Sequence, residues 1–450
     1  MKKINQRKVH IISLGCPKNL IDSEVMGGLL NKSGHQVVDH SDSADTVIVN
    51  TCAFINPAKE EALEEILTLA EEKKRNNPQL QIVVAGCLAQ RYGKELFAQI
   101  PEVDLFIGTG QVGNIVNHID QLNQEKFKRS AVITKPDFLM NSQHPRLLPS
   151  AAASAYLKIS DGCSNACSYC VIPSIRGPVR SRKPDDILQE AEILARRGIK
   201  EIIITAQDTT AYGRDLKGRP QLSSLLNDMA KIESVKWIRL LYAHPARVTT
   251  DLLSVIAAHE KICSYIDLPI QHIDDDVLKM MNRKVTGAEI RKVIAQAREI
   301  IRGVALRTSL IVGFPGETGK RFKKLADFVN EIKFDHLGVF TYSKEESTIA
   351  ANLKSQVSEK EKERRREIIM NEQAAISGAI NKTLIGAIQE VLIEEKSDRS
   401  GFAYIGRCSR QAPEIDGVTY IKKSKARIGE ILKCRITAAD DYDLFGEIIK

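Results

Sequence analysis

Tyr156-Leu-Lys-Ile-Ser-Asp-Gly-Cys163-Ser-Asn-Ala-Cys167-Ser-Tyr-Cys170 runs a short apolar strand straight into three thiols within eight residues. The segments after it repeat one theme. Apolar strands are expected at 156–159, 201–205, 237–241, 265–268, 305–312 and 337–342, with amphipathic helices at 184–197, 222–232, 250–259, 288–302 and 319–332. Six β/α units in a row predict a full or partial (β/α) barrel, whose chemistry lies at the C-terminal ends of its strands. The three cysteines follow the first of those ends.

Upstream, residues 8–125 also alternate. Strands rich in Val and Ile are expected at 9–14, 46–50, 81–85 and 103–107. The clearest helix is 59–75, with Ala62, Ile66, Leu69 and Ala70 on one face. Strands separated by helices imply a parallel sheet with crossover connections. Pro136, Pro145 and Pro149 mark residues 126–150 as a linker to a second domain over 151–380, which ends in a charged helix at 358–380. Residues 382–450 change character: five short strands, no helix, the pattern of a small antiparallel β-barrel of the OB type.

A chain of 450 residues, 43% hydrophobic and 27% charged, is not mainly disordered. No apolar run approaches the ~20 residues that cross a bilayer. Met1-Lys2-Lys3-Ile4-Asn5 lacks the apolar stretch of a signal peptide, so a cytoplasmic protein is expected. The net charge of +8 permits a nucleic-acid or ribosomal partner without arguing for one. Nine cysteines in such a compartment do not mainly form disulfides, and those in tight spacing read as metal or redox ligands.

Cys163, Cys167 and Cys170 have no fourth Cys or His close by to close a structural zinc site. A 4Fe–4S cubane held by three cysteines keeps one iron free of protein ligands. That iron can chelate S-adenosylmethionine, and electron transfer then cleaves the sulfonium to a 5′-deoxyadenosyl radical. The alternatives are a chance group of buried thiols or a zinc site completed from elsewhere. Cys16, Cys52 and Cys87 each stand just past the end of an expected parallel strand, the edge where open α/β sheets bind ligands. Neighbouring strands lie ~4.8 Å apart, close enough for one cluster. On position alone, three buried structural thiols fit equally well. Cys263, Cys408 and Cys434 show no partner spacing and read as core thiols.

Cys163-x-x-x-Cys167-x-x-Cys170 is similar to the signature of the radical S-adenosylmethionine enzymes. With the N-terminal triad and the C-terminal barrel, the whole chain from about residue 8 to 449 resembles the methylthiotransferases of that superfamily. Thr205-Ala-Gln-Asp208, His244-Pro245, Asp267-Leu-Pro-Ile-Gln-His272, Met281-Asn-Arg283 and Gly313-Phe-Pro-Gly-Glu-Thr318 carry the resemblance further. Ser13-Leu-Gly-Cys16-Pro-Lys-Asn19, Asn50-Thr-Cys52-Ala-Phe-Ile55 and Ile172-Pro-Ser-Ile-Arg-Gly-Pro-Val-Arg-Ser-Arg182 resemble the branch that modifies an aspartate of a small-subunit ribosomal protein, the twelfth in the usual naming. The transfer-RNA branch typically carries Tyr-Gly-Cys-Gln-Met-Asn at the first of these. Thr348-Ile349-Ala350 departs from the family, which usually has proline after the threonine.

The resemblance implies a flavodoxin-like N-terminal domain, a partial (β/α)6 TIM-type barrel and a TRAM barrel. It implies two 4Fe–4S clusters as cofactors, on Cys163, Cys167 and Cys170 and on Cys16, Cys52 and Cys87, together with S-adenosylmethionine. It further implies methylthiolation of the aspartate β-carbon, an electron donor such as flavodoxin or ferredoxin, and a monomer. Gln207 and Asp208 end a barrel strand and either contact the cofactor or form a turn and helix cap. Arg307 and the turn from Gly313 to Glu317 either contact its adenosine or are local structure. His244 and His272 are structural or catalytic by the same ambiguity. Arg176, Arg180 and Arg182 either hold an anion or line a solvated loop, and 360–366 reads as a solvated helix face. Residues 382–450 hold 12 Lys/Arg against 11 Asp/Glu, too neutral for a barrel built mainly around RNA phosphates. The competing readings are the transfer-RNA methylthiotransferase and a non-catalytic metal-binding RNA adaptor.

Overall fold

A computed structural model describes residues 6–122, 124, 127–150, 152–422 and 425–449. The expected boundaries at 125/126 and 151, residues 1–5 and Lys450 lie outside the described residues.

The N-terminal sheet has six parallel strands in the spatial order Gln36–Val37, Lys8–Ser13, Thr46–Thr51, Gln81–Gly86, Leu105–Ile107 and Ser130–Val132. The first five give the 2-1-3-4-5 order of a flavodoxin-like sheet. Both faces are covered, because alternate residues point to opposite sides. Ile48 packs with Ile21, Val25 and Ile115, whereas Val47 and Val49 pack with Ala62, Ile66 and Leu69. The segment expected as a linker holds the sixth strand. Beyond it, Arg146 clasps Glu24 of the first helix and donates to Glu190 Oε1 of a barrel helix at 2.7 Å. A charge buried between two carboxylates makes this segment a fastener between the domains.

The six barrel strands form two parallel three-stranded halves. Ser154–Lys158, Glu201–Thr205 and Trp237–Leu240 make one; Tyr265–Asp267, Ala305–Val312 and His336–Thr341 make the other. Among the described residues a parallel bridge from Ile238 to Ile262, just before the second half, and a hydrogen bond from Ala243 N to Asp267 O at 2.9 Å join them. The helix Glu359–Thr383 packs beside the last strand, where Gln373 Nε2 donates to Phe334 O at 2.7 Å. On the segment expected to be solvated, Lys362 and Arg365 are buried, donating to Tyr342 O and Glu317 Oε1, while Arg364 and Arg366 pair outward with Glu361 and Glu363.

The C-terminal strands close into a five-stranded barrel. Four of its pairings are antiparallel, but Thr419–Lys422 runs parallel to Leu444–Ile448, and that pair closes the ring. This barrel docks through buried charge. Glu201 accepts from Arg239 Nε at 2.7 Å and from Arg407 Nη2 at 2.6 Å, all three almost without solvent. Nearby, Tyr265 donates to Asp416 Oδ2 at 2.7 Å and His336 Nε2 meets Arg410 O at 2.8 Å.

Candidate active site

Cys16, Cys52 and Cys87 stand at the C-terminal edge of three neighbouring strands, Lys8–Ser13, Thr46–Thr51 and Gln81–Gly86. The first two flank the point where strand order reverses, the usual binding crevice of such sheets. Cys16 caps the helix Pro17–Lys32 and Cys87 opens the helix Cys87–Gln99, so both thiols sit at positive helix ends. Gly15 lets the edges close up. Its φ is +93°, and a Cβ there would lie 2.5 Å from Cys52 Cβ. The other triad rides a loop fixed at both sides. Cys163 N donates to Gly177 O at 3.0 Å, Ser168 Oγ to Met280 O at 2.7 Å and Asn282 Nδ2 to Ala166 O at 2.6 Å. Backbone N–H groups of Asn165 and Ile172 donate to the sulfurs of Cys163 and Cys170 at 3.4 and 3.5 Å.

All six thiols are free and line one cavity of about 450 Å³. Cys263, Cys408 and Cys434 are buried elsewhere. Burial pushes the Cys87 and Cys170 thiols up to about 12, so ionising them as ligands needs a cationic partner. At Cys16, burial raises the pKa, but Lys18, Arg176 and backbone N–H groups outweigh it and hold the thiol below its ordinary value. Among the described residues, no three His, Cys, Asp or Glu side chains form a set for a single metal ion. A cubane spreads its thiolates over separate irons and asks for a wider triad. The donor chemistry, three thiols each with N–H or cationic neighbours, fits such a cluster at both places.

Arg176 is neither a solvated loop residue nor an exposed anion site. Buried, it donates to Asp161 Oδ2 at 3.1 Å, pairs with Asp22 Oδ2 at 3.0 Å, reaches Asn19 Oδ1 at 2.6 Å and touches Cys87 Sγ at 3.7 Å. Lys158 Nζ joins the same carboxylates, Asp22 at 2.5 Å and Asp161 at 3.3 Å. A helix after one triad thus buttresses the other through a two-cation, two-carboxylate knot across the domain boundary. Arg182 is likewise buried, on Asp186 and Glu190, and Arg180 donates to the carbonyls of Pro136 and Arg176.

Gln207, Asp208 and Arg307 line the cavity. Gln207 Nε2 donates to Asp161 Oδ1 at 2.8 Å, while its Oε1 is buried without a partner among the described residues. Asp208 accepts from Asn165 Nδ2 at 2.8 Å and pairs with Arg247; burial opposes its charge, but Arg247 prevails and lowers its pKa. Arg307 is paired with Asp267 at 2.9 Å and Asp416 at 3.4 Å. Gly313 is not part of the lining. It packs beneath the last barrel helix, where a Cβ would lie 2.2 Å from Lys362 Cγ, and its N–H donates to Glu317 Oε2 at 2.9 Å. His244 lines the cavity and accepts from Ala246 N at 3.2 Å; burial, then Arg283 and Arg247, lower its pKa to about 3, so it is neutral. His272 is buried behind the wall, accepting from Asp274 N at 2.9 Å.

The structure adds Lys18, Tyr242, Gln271 and Arg283 to the lining. Tyr242 and Gln271 hold φ of +60° and +70°, a strained setting for side chains other than glycine that clusters at functional sites. Lys18 and Arg283 lay inside quoted motifs, but only domain docking shows where they face.

Residues 157–329 match the Radical SAM superfamily, residues 8–108 the uncharacterized protein family UPF0004 and residues 385–449 the TRAM domain. Solved structures share the fold. The methyltransferase TsrM from Kitasatospora setae, with tryptophan and a cofactor analogue bound, aligns with TM-score 0.54 at 16% identity, covering 74% of this chain and 73% of that one. Cobalamin-dependent OxsB aligns with TM-score 0.52 at 12% identity, covering 82% and 56%. A split parallel barrel with a cysteine loop after its first strand makes this chain a radical S-adenosylmethionine enzyme. Relatives narrow that class. A protein of Syntrophus aciditrophicus described as "Ribosomal protein uS12 methylthiotransferase RimO" is 54% identical over 99% of both chains. Proteins of the same description from Citrifermentans bemidjiense and Clostridioides difficile are 48% identical over 100% of both chains and 45% identical over 98% of this chain and 99% of the other. The chain belongs to the RimO family of methylthiotransferases.

Proposed function

We propose that the protein replaces one C–H bond on the β-carbon of an aspartate in ribosomal protein uS12 with C–S–CH3, and that each cysteine triad holds its own 4Fe–4S cluster. The observation that carries this reading is that both triads line the same cavity, so one carbon is within reach of both. When bound, S-adenosylmethionine and the two clusters supply the hydrogen-abstracting radical, the sulfur and the methyl group. The chain's own residues hold and shield them. Cys163, Cys167 and Cys170 ligate the radical-generating cluster, with N–H donors from Asn165 and Ile172 offsetting thiolate charge. Cys16, Cys52 and Cys87 ligate the auxiliary one, with Arg176 against the Cys87 sulfur. Gln207, through the Oε1 that has no partner among the described residues, Asp208 and Arg307 are the cofactor-facing polar groups. Phe54, Ile172, Ile311 and Phe340 supply apolar wall that keeps water from a reactive carbon.

Among the described residues no helix is long and apolar enough to cross a membrane. The reading implies a cytoplasmic monomer that acts on the target free or within the ribosome and is reduced by a flavodoxin or ferredoxin. The test is mass spectrometry after anaerobic incubation of the reconstituted protein with S-adenosylmethionine, reductant, sulfide and either uS12 or an anticodon stem-loop. A methylthio gain on one aspartate is expected. A gain on an adenosine instead moves the chain to the transfer-RNA reaction, and no gain on either overturns the proposal.

A further inference from the structure

Four Lys and Arg side chains line the cavity, and three are already answered. Arg176 spans Asp22 and Asp161, and Arg307 pairs with Asp267 and Asp416. Arg283 donates to Pro269 O at 2.5 Å and lies 3.9 Å from Cys167 Sγ. The lining carboxylates are matched too: Asp208 with Arg247, Glu345 with Lys59 and Arg91. Lys18 is the exception. It is only 7% exposed, yet among the described residues no carboxylate or carbonyl oxygen lies in reach of its ammonium. It meets Tyr242, with the ring centroid 3.5 Å from Nζ, and lies near enough to the Cys16 thiol to favour its ionised form. A ring face offsets only part of the cost of taking an ammonium out of water. Tyr242 is itself held in a left-handed backbone conformation, with its N–H donating to Asp267 Oδ2 at 2.9 Å. The fold therefore backs, with a residue in a strained backbone setting, a buried cation that meets no carboxylate among the described residues and whose charged neighbour is the Cys16 thiol it helps to ionise.

Resting on the function proposed above, we propose that the Lys18 ammonium receives the side-chain carboxylate of the substrate aspartate and selects it. The reaction leaves that carboxylate intact and ionised, so the cavity must offer it a counter-charge. The carbon to be modified is bonded directly to the carboxylate carbon, so a clamp on the carboxylate also fixes the reacting carbon. Lys18 comes two residues after Cys16, which sets that clamp on the auxiliary-triad side of the cavity. Asparagine, of the same shape but neutral, leaves the ammonium unanswered and is rejected.

The experiment measures equilibrium binding of a fluorescent uS12 peptide, carrying Asp or Asn at the target position, to iron-loaded wild-type, Lys18→Met and Lys18→Arg proteins. Methionine nearly matches lysine in length and removes only the charge. A charge-assisted hydrogen bond out of water predicts that Asp→Asn in the peptide weakens wild-type binding about tenfold or more. Lys18→Met should weaken the Asp peptide by a similar factor and the Asn peptide by less than about twofold, with Lys18→Arg recovering part of the loss. Equal binding of both peptides by wild type, or an equal loss for both on Lys18→Met, overturns the assignment. If Lys18→Met does not load iron, Lys18→Gln gives the same reading. Wild-type protein that neither binds nor modifies the Asp peptide overturns the proposed function, and the Lys18 assignment with it. Wild-type protein that modifies the Asp peptide but does not discriminate against Asn overturns the Lys18 assignment alone.

Discussion

Gly15→Ala asks how closely two strand ends must approach to gather the auxiliary triad. Gly15 sits at φ +93°, and its added Cβ would meet Cys52 Cβ at 2.5 Å and Cys52 Sγ at 3.2 Å. Carbon atoms in ordinary contact keep ~3.5–4.0 Å, so the two edges must part by about 1 Å. An L side chain at this φ costs about 1–3 kcal/mol, and overpacking of this size costs about 1–3 kcal/mol more. The total, about 2–6 kcal/mol, is at or below the ~5–15 kcal/mol that holds a typical protein folded. A shift of about 1 Å, however, far exceeds the ~0.2 Å tolerance of a metal–ligand distance. The site should fail before the fold does. Iron and acid-labile sulfide on the anaerobically reconstituted variant, read beside circular dichroism, separate the two. Iron should fall from about eight to about four per chain, with helix content retained and the radical-cluster signal still present. Full iron with an unshifted melting temperature would refute the reasoning.

Glu201→Ala leaves the buried Arg239 guanidinium without its carboxylate and takes from Arg407 one of two, Glu394 remaining, and should cost about 3–5 kcal/mol, chiefly where the C-terminal barrel docks. Limited proteolysis should then release that barrel faster than in wild type, and unchanged cleavage would count against the ion-pair account. His244 is held neutral in the fold with its pKa lowered to about 3, against ~6.5 when unfolded. The stability this contributes is complete above pH 6.5 and drains as pH falls toward 3. Between pH 7 and 5 wild type should lose about 2 kcal/mol more than His244→Asn, which does not titrate. Urea midpoints at the two pH values measure the difference.

The cysteine geometry was legible because it rests on local rules. Short β-branched strands fix where each parallel strand ends, and Cys16, Cys52 and Cys87 each follow such an end directly. The spacing of Cys163, Cys167 and Cys170 confines them to one loop whatever surrounds it. What escaped the sequence depends on contacts between distant segments. Arg176 reads as part of a basic run, yet its partners Asp22 and Cys87 are set by domain docking. Ser130–Val132 is too short to announce a strand after the charged residues Lys128 and Arg129, and only the free edge of Leu105–Ile107 recruits it. The parallel closure of the last barrel is invisible in five short alternating runs, since pattern fixes faces and not direction. Gly313 reads equally as a cofactor contact or a local turn, since Gly-Phe-Pro-Gly is turn chemistry, and only Lys362, from a helix some fifty residues on, shows that it is covered.

Two separate cages facing one chamber is the claim on which the chemistry stands, and counting iron tests it. Three proteins are needed: wild type, one with Cys16, Cys52 and Cys87 changed to alanine, and one with Cys163, Cys167 and Cys170 so changed. About eight, four and four irons per chain are expected, each triple variant keeping the spectroscopic signature of the cluster it still ligates. A wild-type value near four, or loss of all iron when either triad is removed, would show that the six thiols do not form two independent cluster sites.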